Sequence, residues 1–227
     1  ASHYLSKPVW ETNVARFGID IWMTTTAIAE GFKVCQSFLG AKIHDAKDPG
    51  ADLAGMLMQV VSSVFDLMVT HESRWRNVHD AESVPLFGFP HGVGLEPVNV
   101  NVERMLGVFK QGARDLREVW QYALTDATLA DVVALSGRGP AGCHFSDELW
   151  VRTIYDFAVA YRQARVSPAQ LLKSLVPLYL GRTASFVMEA AEADSAAVER
   201  IIAALAAEYV RQKDYLVRRW SARSREA

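Results

Sequence analysis

The chain has 227 residues, half of them hydrophobic and 22% charged, with a formal net charge of −2. These proportions exclude a disordered chain, and the balanced charge excludes a nucleic-acid binder that works by neutralising phosphates. Two cysteines are too few for a disulfide framework, no signal peptide opens the chain, and no apolar run reaches the roughly 18–20 residues of a membrane span, so a cytoplasmic protein with neither a membrane nor a nucleic-acid partner is expected.

In chain order, residues 1–12 are irregular and read as the middle of a longer protein. Asn13 is the expected N-cap of a helix over about 14–30, ended by Gly31. The Phe17-Gly18-Ile19-Asp20 start and the Thr24-Thr25-Thr26 run are poor helix material. Residues 32–39, Phe-Lys-Val-Cys-Gln-Ser-Phe-Leu, alternate with period two and predict a strand, with a continued helix as the other reading. A lone strand leaves its backbone donors and acceptors unpaired, so sheet partners outside this chain are expected.

Residues 40–50 form a polar loop, and an amphipathic helix is predicted over 51–71, where Leu53, Leu57, Val60, Val61, Val64, Phe65 and Met68 recur at helical spacing. The glycines and prolines of 73–100 predict a long loop. Helices are expected at about 100–125, 127–136, 146–164, 168–192 and 195–223, with Ser146 and Ser167 as N-caps, Pro168 in a first turn and Pro177 at a kink. The fold class is mainly α, with one short strand near the start.

The candidate residues for chemistry fall within 17–48. Asp20 precedes the strand, and the loop after it holds Lys42, His44 and Lys47. A metal-bound phosphate needs hard oxygen or imidazole ligands and cations that neutralise its charge. A lone loop histidine is otherwise a solvated surface residue.

Phe17-Gly18-Ile19-Asp20, then a helix, a strand and Ala41-Lys42-Ile43-His44, resembles the late catalytic segment of GT-A-fold retaining glycosyltransferases. The group it resembles in particular is the glucosylglycerate and mannosylglycerate synthases and their phosphoglycerate-using relatives. The resemblance covers roughly the first 70 residues well and the helical remainder weakly. It implies residues 1–50 as the end of a catalytic domain and 51–227 as a helical C-terminal domain. It implies Asp20 at the acceptor hydroxyl and donor sugar, and Gly18 and Ile19 offering backbone to the acceptor. It also implies Lys42 and Lys47 facing the pyrophosphate and His44 ligating a divalent metal, Mg or Mn. The implied reaction moves a hexose from a nucleotide sugar to a small polar acceptor such as glycerate or phosphoglycerate, with retention, by electrostatic stabilisation of the departing diphosphate.

The chain departs from that pattern in lacking any Asp-x-Asp. The missing N-terminal half of the same protein is therefore an expected partner, and the isolated chain is expected to be inactive. The competing reading is a non-catalytic helical interaction or regulatory domain.

Other candidates have plainer readings. His71, Glu72 and His79 fit no compact helical metal site, and His144 belongs to a capping region. His91 sits where a long loop could bring it to a substrate. Trp150, Tyr155, Phe157 and Tyr161 mix helix faces and read as core. Ile201, Ile202, Leu205, Tyr209 and Leu216 form an apolar face that serves either a homodimer contact or internal packing.

Overall fold

A computed structural model describes residues 2–39, 53–80, 83–89 and 100–222. The protein is mainly helical, with eleven α-helices and one two-stranded parallel sheet among the described residues. It divides into two compact units, Ala1–Asn99 and Val100–Ala227.

In the first unit, α1 (Ser2–Leu5) leads to a 3-10 turn (Asn13–Ala15) and α2 (Ile19–Ala29). The predicted single helix over 14–30 thus breaks into two pieces. Thr12, not Asn13, caps the first piece, its hydroxyl accepting from Val14 N at 3.2 Å. The Asn13 amide instead donates to Ser62 Oγ at 2.7 Å. α2 ends as expected at Gly31, whose φ of +80° closes a Schellman turn. In that turn Phe32 N donates to Ala27 O and Gly31 N to Ile28 O.

After α2, β1 is only Gln36–Ser37, the remainder of the 32–39 run having no ladder. Its partner lies within the chain, which corrects the expectation of a strand paired only from outside. β2 (Leu86–Phe87) runs parallel to it, with Gln36 opposite Leu86 and Ser37 opposite Phe87. Gln36 N donates to Pro85 O at 2.9 Å and Phe38 N to Phe87 O at 3.0 Å. Because β2 is a dipeptide inside a Gly/Pro-rich stretch, that stretch reads as loop from its composition alone.

Between the strands lie α3 (Leu53–Thr70) and α4 (Glu72–Trp75). α3 belongs to this unit and packs on α2 and on the 3-10 turn. It is 18 residues long with a mean hydropathy of 1.6, long and apolar enough by length and composition to cross a membrane. That corrects the expectation that no segment reaches this length. Its buried positions include Ser62, Ser63, Phe65 and Leu67. The small core joins Val14, Trp22 and Leu67, with Tyr4, Val9 and Ile19 packed against them. Tyr4 and Trp10 meet the Trp22 ring edge-on, at centroid separations of 5.6 and 6.0 Å.

The second unit is helical throughout its described residues: α5 (Val102–Asp115), α6 (Arg117–Ala123), α7 (Asp126–Ser136), α8 (Asp147–Gln163), α9 (Pro168–Glu189), α10 (Ser195–Arg211) and α11 (Lys213–Ser221). The expected caps form, Ser146 Oγ accepting from Leu149 N and Ser167 Oγ from Gln170 N. The two longest predicted helices each divide, at Leu116 and at Gln212. The Gln212 side chain donates to Glu148 O at 3.0 Å, tying that break to the first turn of α8.

α5 and α9 cross closely. A Cβ on Gly112 would lie 2.5 Å from Pro177 Cβ, and one on Gly181 2.7 Å from Phe109 Cγ, so a missing side chain on each helix admits a bulky one from the other. Pro177 sits inside α9, as expected, and cannot donate to the carbonyl four residues back. Trp120 Nε1 donates to the neighbouring carbonyl, Ser174 O, at 2.9 Å. Trp150, Tyr155 and Phe157 are buried in the core, as expected. Leu216 is 3% exposed and belongs to the internal packing, while Ile202 is exposed.

Candidate functional site

Gly18 directly precedes α2 and is buried. A Cβ there would lie 2.0 Å from Ser63 Oγ and 2.9 Å from Asn13 O. The glycine is therefore required by the approach of α3, a structural reason independent of any ligand. Its own N–H donates to Asn13 O at 3.1 Å, and its carbonyl accepts from Trp22 N at 3.1 Å. Ile19 turns its side chain onto the Val14–Trp22–Leu67 cluster.

Asp20 stands exposed in the first turn of α2. Its negative charge is favourable beside the open N–H groups of that turn. No hydrogen bond or ion pair engages its carboxylate among the described residues. Lys42, His44 and Lys47 lie outside the described residues, as does His91. The structure therefore brings together Gly18, Ile19 and Asp20 of the sequence-predicted set. Among the described residues no three His, Cys, Asp or Glu side chains form a group able to hold a metal ion. The metal expectation rests on His44 alone.

Comparison with known proteins finds no family model, no curated protein and no solved structure that matches the chain.

A second feature of the first unit escaped the sequence. A pocket of about 290 Å³ opens between the N-terminal segment, α2 and α3. Val9, Val14, Trp22 and Leu67 give it an apolar floor, and Lys7, Thr26, Glu30 and Asp66 give it polar groups. Trp22, Thr26 and Glu30 follow one another at four-residue spacing, so they share one face of α2; Asp20 is not on that face. Glu30 accepts from Lys7 Nζ and pairs with His3 Nε2. These hydrogen bonds, Lys7 first and then His3, hold the Glu30 carboxyl below its ordinary value. The only signal in the sequence was the Thr24-Thr25-Thr26 run: Thr26 is 5% exposed and lies on the pocket.

In the second unit Asp156 is fully buried in α8. Its carboxylate accepts from Thr125 N at 3.0 Å, from Tyr215 Oη at 2.6 Å and from Arg219 Nε at 3.2 Å. Its three donors are half-buried, and the arrangement joins α7, α8 and α11. An acid in the apolar run Ile154-Tyr155-Asp156-Phe157-Ala158 was the available signal. Arg182, 6% exposed, does the same for the turn before α8, donating to Phe145 O at 3.0 Å and pairing with Asp147.

Proposed function

We propose that the chain is part of a nucleotide-sugar-dependent hexosyltransferase of GT-A type, supplying the acceptor side of its active site around Asp20. The observation that carries this reading is the order β1–α3–β2 with parallel pairing. A parallel pair joined through a helix is the building block of α/β catalytic sheets. Two strands of two residues do not make a stable parallel sheet by themselves, and parallel sheets are normally covered on both faces. Here Phe38, Leu86, Phe87 and Phe89 are exposed. The reading accounts for them as the edge of a larger sheet, completed by strands outside this chain. The unengaged Asp20 carboxylate, at a helix start, is available to orient an acceptor hydroxyl or to face developing positive charge on the sugar.

Under this reading Gly18 and Ile19 contribute backbone at the acceptor pocket, while Lys42, Lys47 and His44 serve the pyrophosphate and a Mg or Mn ion. The chain by itself is inactive, and the protein works in the cytoplasm. The test is a transfer assay on the full reading frame that encodes this chain, with UDP-, GDP- or ADP-hexose, Mn²⁺ or Mg²⁺, and glycerate or phosphoglycerate. Hexosyl glycerate should form, and Asp20→Asn should lower turnover by about a hundredfold or more. No transfer from any donor, or full activity in the variant, would end the proposal.

The second reading, a non-catalytic helical interaction domain that self-associates, draws on α10, none of whose residues is buried. It requires a dimer by sedimentation that Ile202→Glu dissociates.

A further inference from the structure

α3 turns a polar side inward. Gln59, Ser62, Ser63, Asp66 and Thr70 recur at helical spacing and form one stripe of the helix. Ser62 and Ser63 of that stripe are buried, the Asn13 amide donating to Ser62 Oγ at 2.7 Å and Gly18 leaving room for Ser63 Oγ. Phe65 and Leu67, to either side of the stripe, are buried too. The opposite side is aliphatic: Leu53, Leu57, Val60, Val61, Val64 and Met68, each only half-buried. A helix on a water-exposed surface shows the reverse, with its apolar stripe on the core and its polar face outward. α3 therefore keeps an apolar face that its neighbours among the described residues leave half-covered.

The connections of α3 indicate what belongs on that face. The helix joins β1 to β2, which pair in parallel. A helix between parallel strands lies on their sheet with its apolar side down. The strands here are too short to receive it. A two-residue strand extends about 7 Å, while the face from Leu53 to Met68 runs about 22 Å along the helix axis. Strands of about six or seven residues would match that length. The leucines and valines of the face offer no side-chain donor or acceptor, which suits the aliphatic side chains of a buried parallel strand.

We infer that the Leu53–Met68 face of α3 is the docking surface for a parallel sheet that continues the β1–β2 ladder with strands from outside this chain. This docking surface presumes the larger sheet of the proposed function, not its transfer chemistry.

Hydroxyl-radical footprinting read by mass spectrometry compares this chain with the full reading frame that encodes it. Met68 should oxidise several-fold more slowly in the full protein, with Tyr122 of the second unit, 64% exposed, as the reference. Val64→Asp should leave the unfolding midpoint of this chain unchanged and lower that of the full protein. The amides of Gln36 and Phe38, which hold the ladder, should exchange more slowly in the full protein. Equal Met68 oxidation in the two forms would overturn the docking face. So would Met68 protection in this chain alone as its concentration rises, which assigns the face to a second copy. Protection of this chain by phosphatidylcholine vesicles would assign the face to lipid, with the same consequence. Slower amide exchange with Met68 still reactive would keep the larger sheet and remove the docking face. Met68 protection with unchanged amide exchange would mean a covering other than a continued sheet, and also overturns it. Met68 protection and slower exchange without hexosyl transfer would end the transferase reading and keep the docking face.

Discussion

A side-chain carbon on Gly18 would fall 2.0 Å from the hydroxyl oxygen of Ser63, so α2 and α3 approach as closely as they do because position 18 has none. Gly18→Ala should therefore destabilise the first unit by about 1–3 kcal/mol through overpacking. Ser63→Ala on the same background should recover part of that loss, since it removes the nearest atom while Asn13 O and Ser63 Cβ remain at 2.9 Å. Urea unfolding of the two single variants and the double variant measures the coupling. Independent, additive effects would show that the contact does not limit the helix approach.

Asp156 provides the corresponding test in the second unit. Removing it by Asp156→Ala strands Tyr215, Arg219 and the Thr125 amide and should cost about 3–5 kcal/mol. Tyr215→Phe removes one neutral donor from a charged acceptor and should cost about 1.5–3 kcal/mol. Denaturant midpoints at unchanged slope would report both losses as stability rather than altered compactness.

Acid should release the N-terminal segment from α2. The Glu30 carboxyl titrates below its ordinary 4.5 because Lys7 and His3 hydrogen-bond its ionised form. A depressed carboxylate value means the contact helps the folded state fully above the unfolded value. That help is lost as pH falls through the lower, folded one. Carbon NMR of the Glu30 carboxyl should show the depressed midpoint, and Lys7→Ala should move it up toward 4.5. The Lys7–Glu30–His3 contact lies at the surface, so the effect should appear as local exchange of the segment rather than as global unfolding.

Tyr155 should resist alkali. Burial, helped by the negative charge of Glu208, pushes its hydroxyl up to about 12, and that hydroxyl donates to Tyr209 O at 2.7 Å. The raised value places the stabilising protonated form fully below the ordinary 10. Its contribution is lost as pH rises toward 12. The difference in phenolate absorbance between the protein and Tyr155→Phe should be silent through pH 10 and appear only with the alkaline unfolding transition.

The helical unit was largely legible because its signals are local. Ser146, Ser167 and Pro168 mark their helix starts within one turn of sequence, and the buried aromatics of α8 follow from the apolar density around them. The β1–β2 pairing was not legible, because a parallel partner is distant in the chain and Leu86-Phe87 is too short to alternate. The pocket was hidden for a similar reason: Lys7, Trp22 and Asp66 converge from three separate segments. Asp156 looked like a misplaced acid until its donors arrived from Thr125, Tyr215 and Arg219. Of the residues expected to do chemistry, Gly18 proved to have a packing reason, Ile19 a core contact, and Asp20 neither.

The short parallel ladder has a kinetic meaning as well. Its few cross-strand bonds close a long stretch of chain, and loop closure must be completed before any of them forms. Few bonds hold much entropy in check, so this junction should be a weak point from which the first unit breathes. In deuterated solvent the amides of Gln36 and Phe38 should trade their protons well before those in the middle of α3, and should do so together, as one small opening.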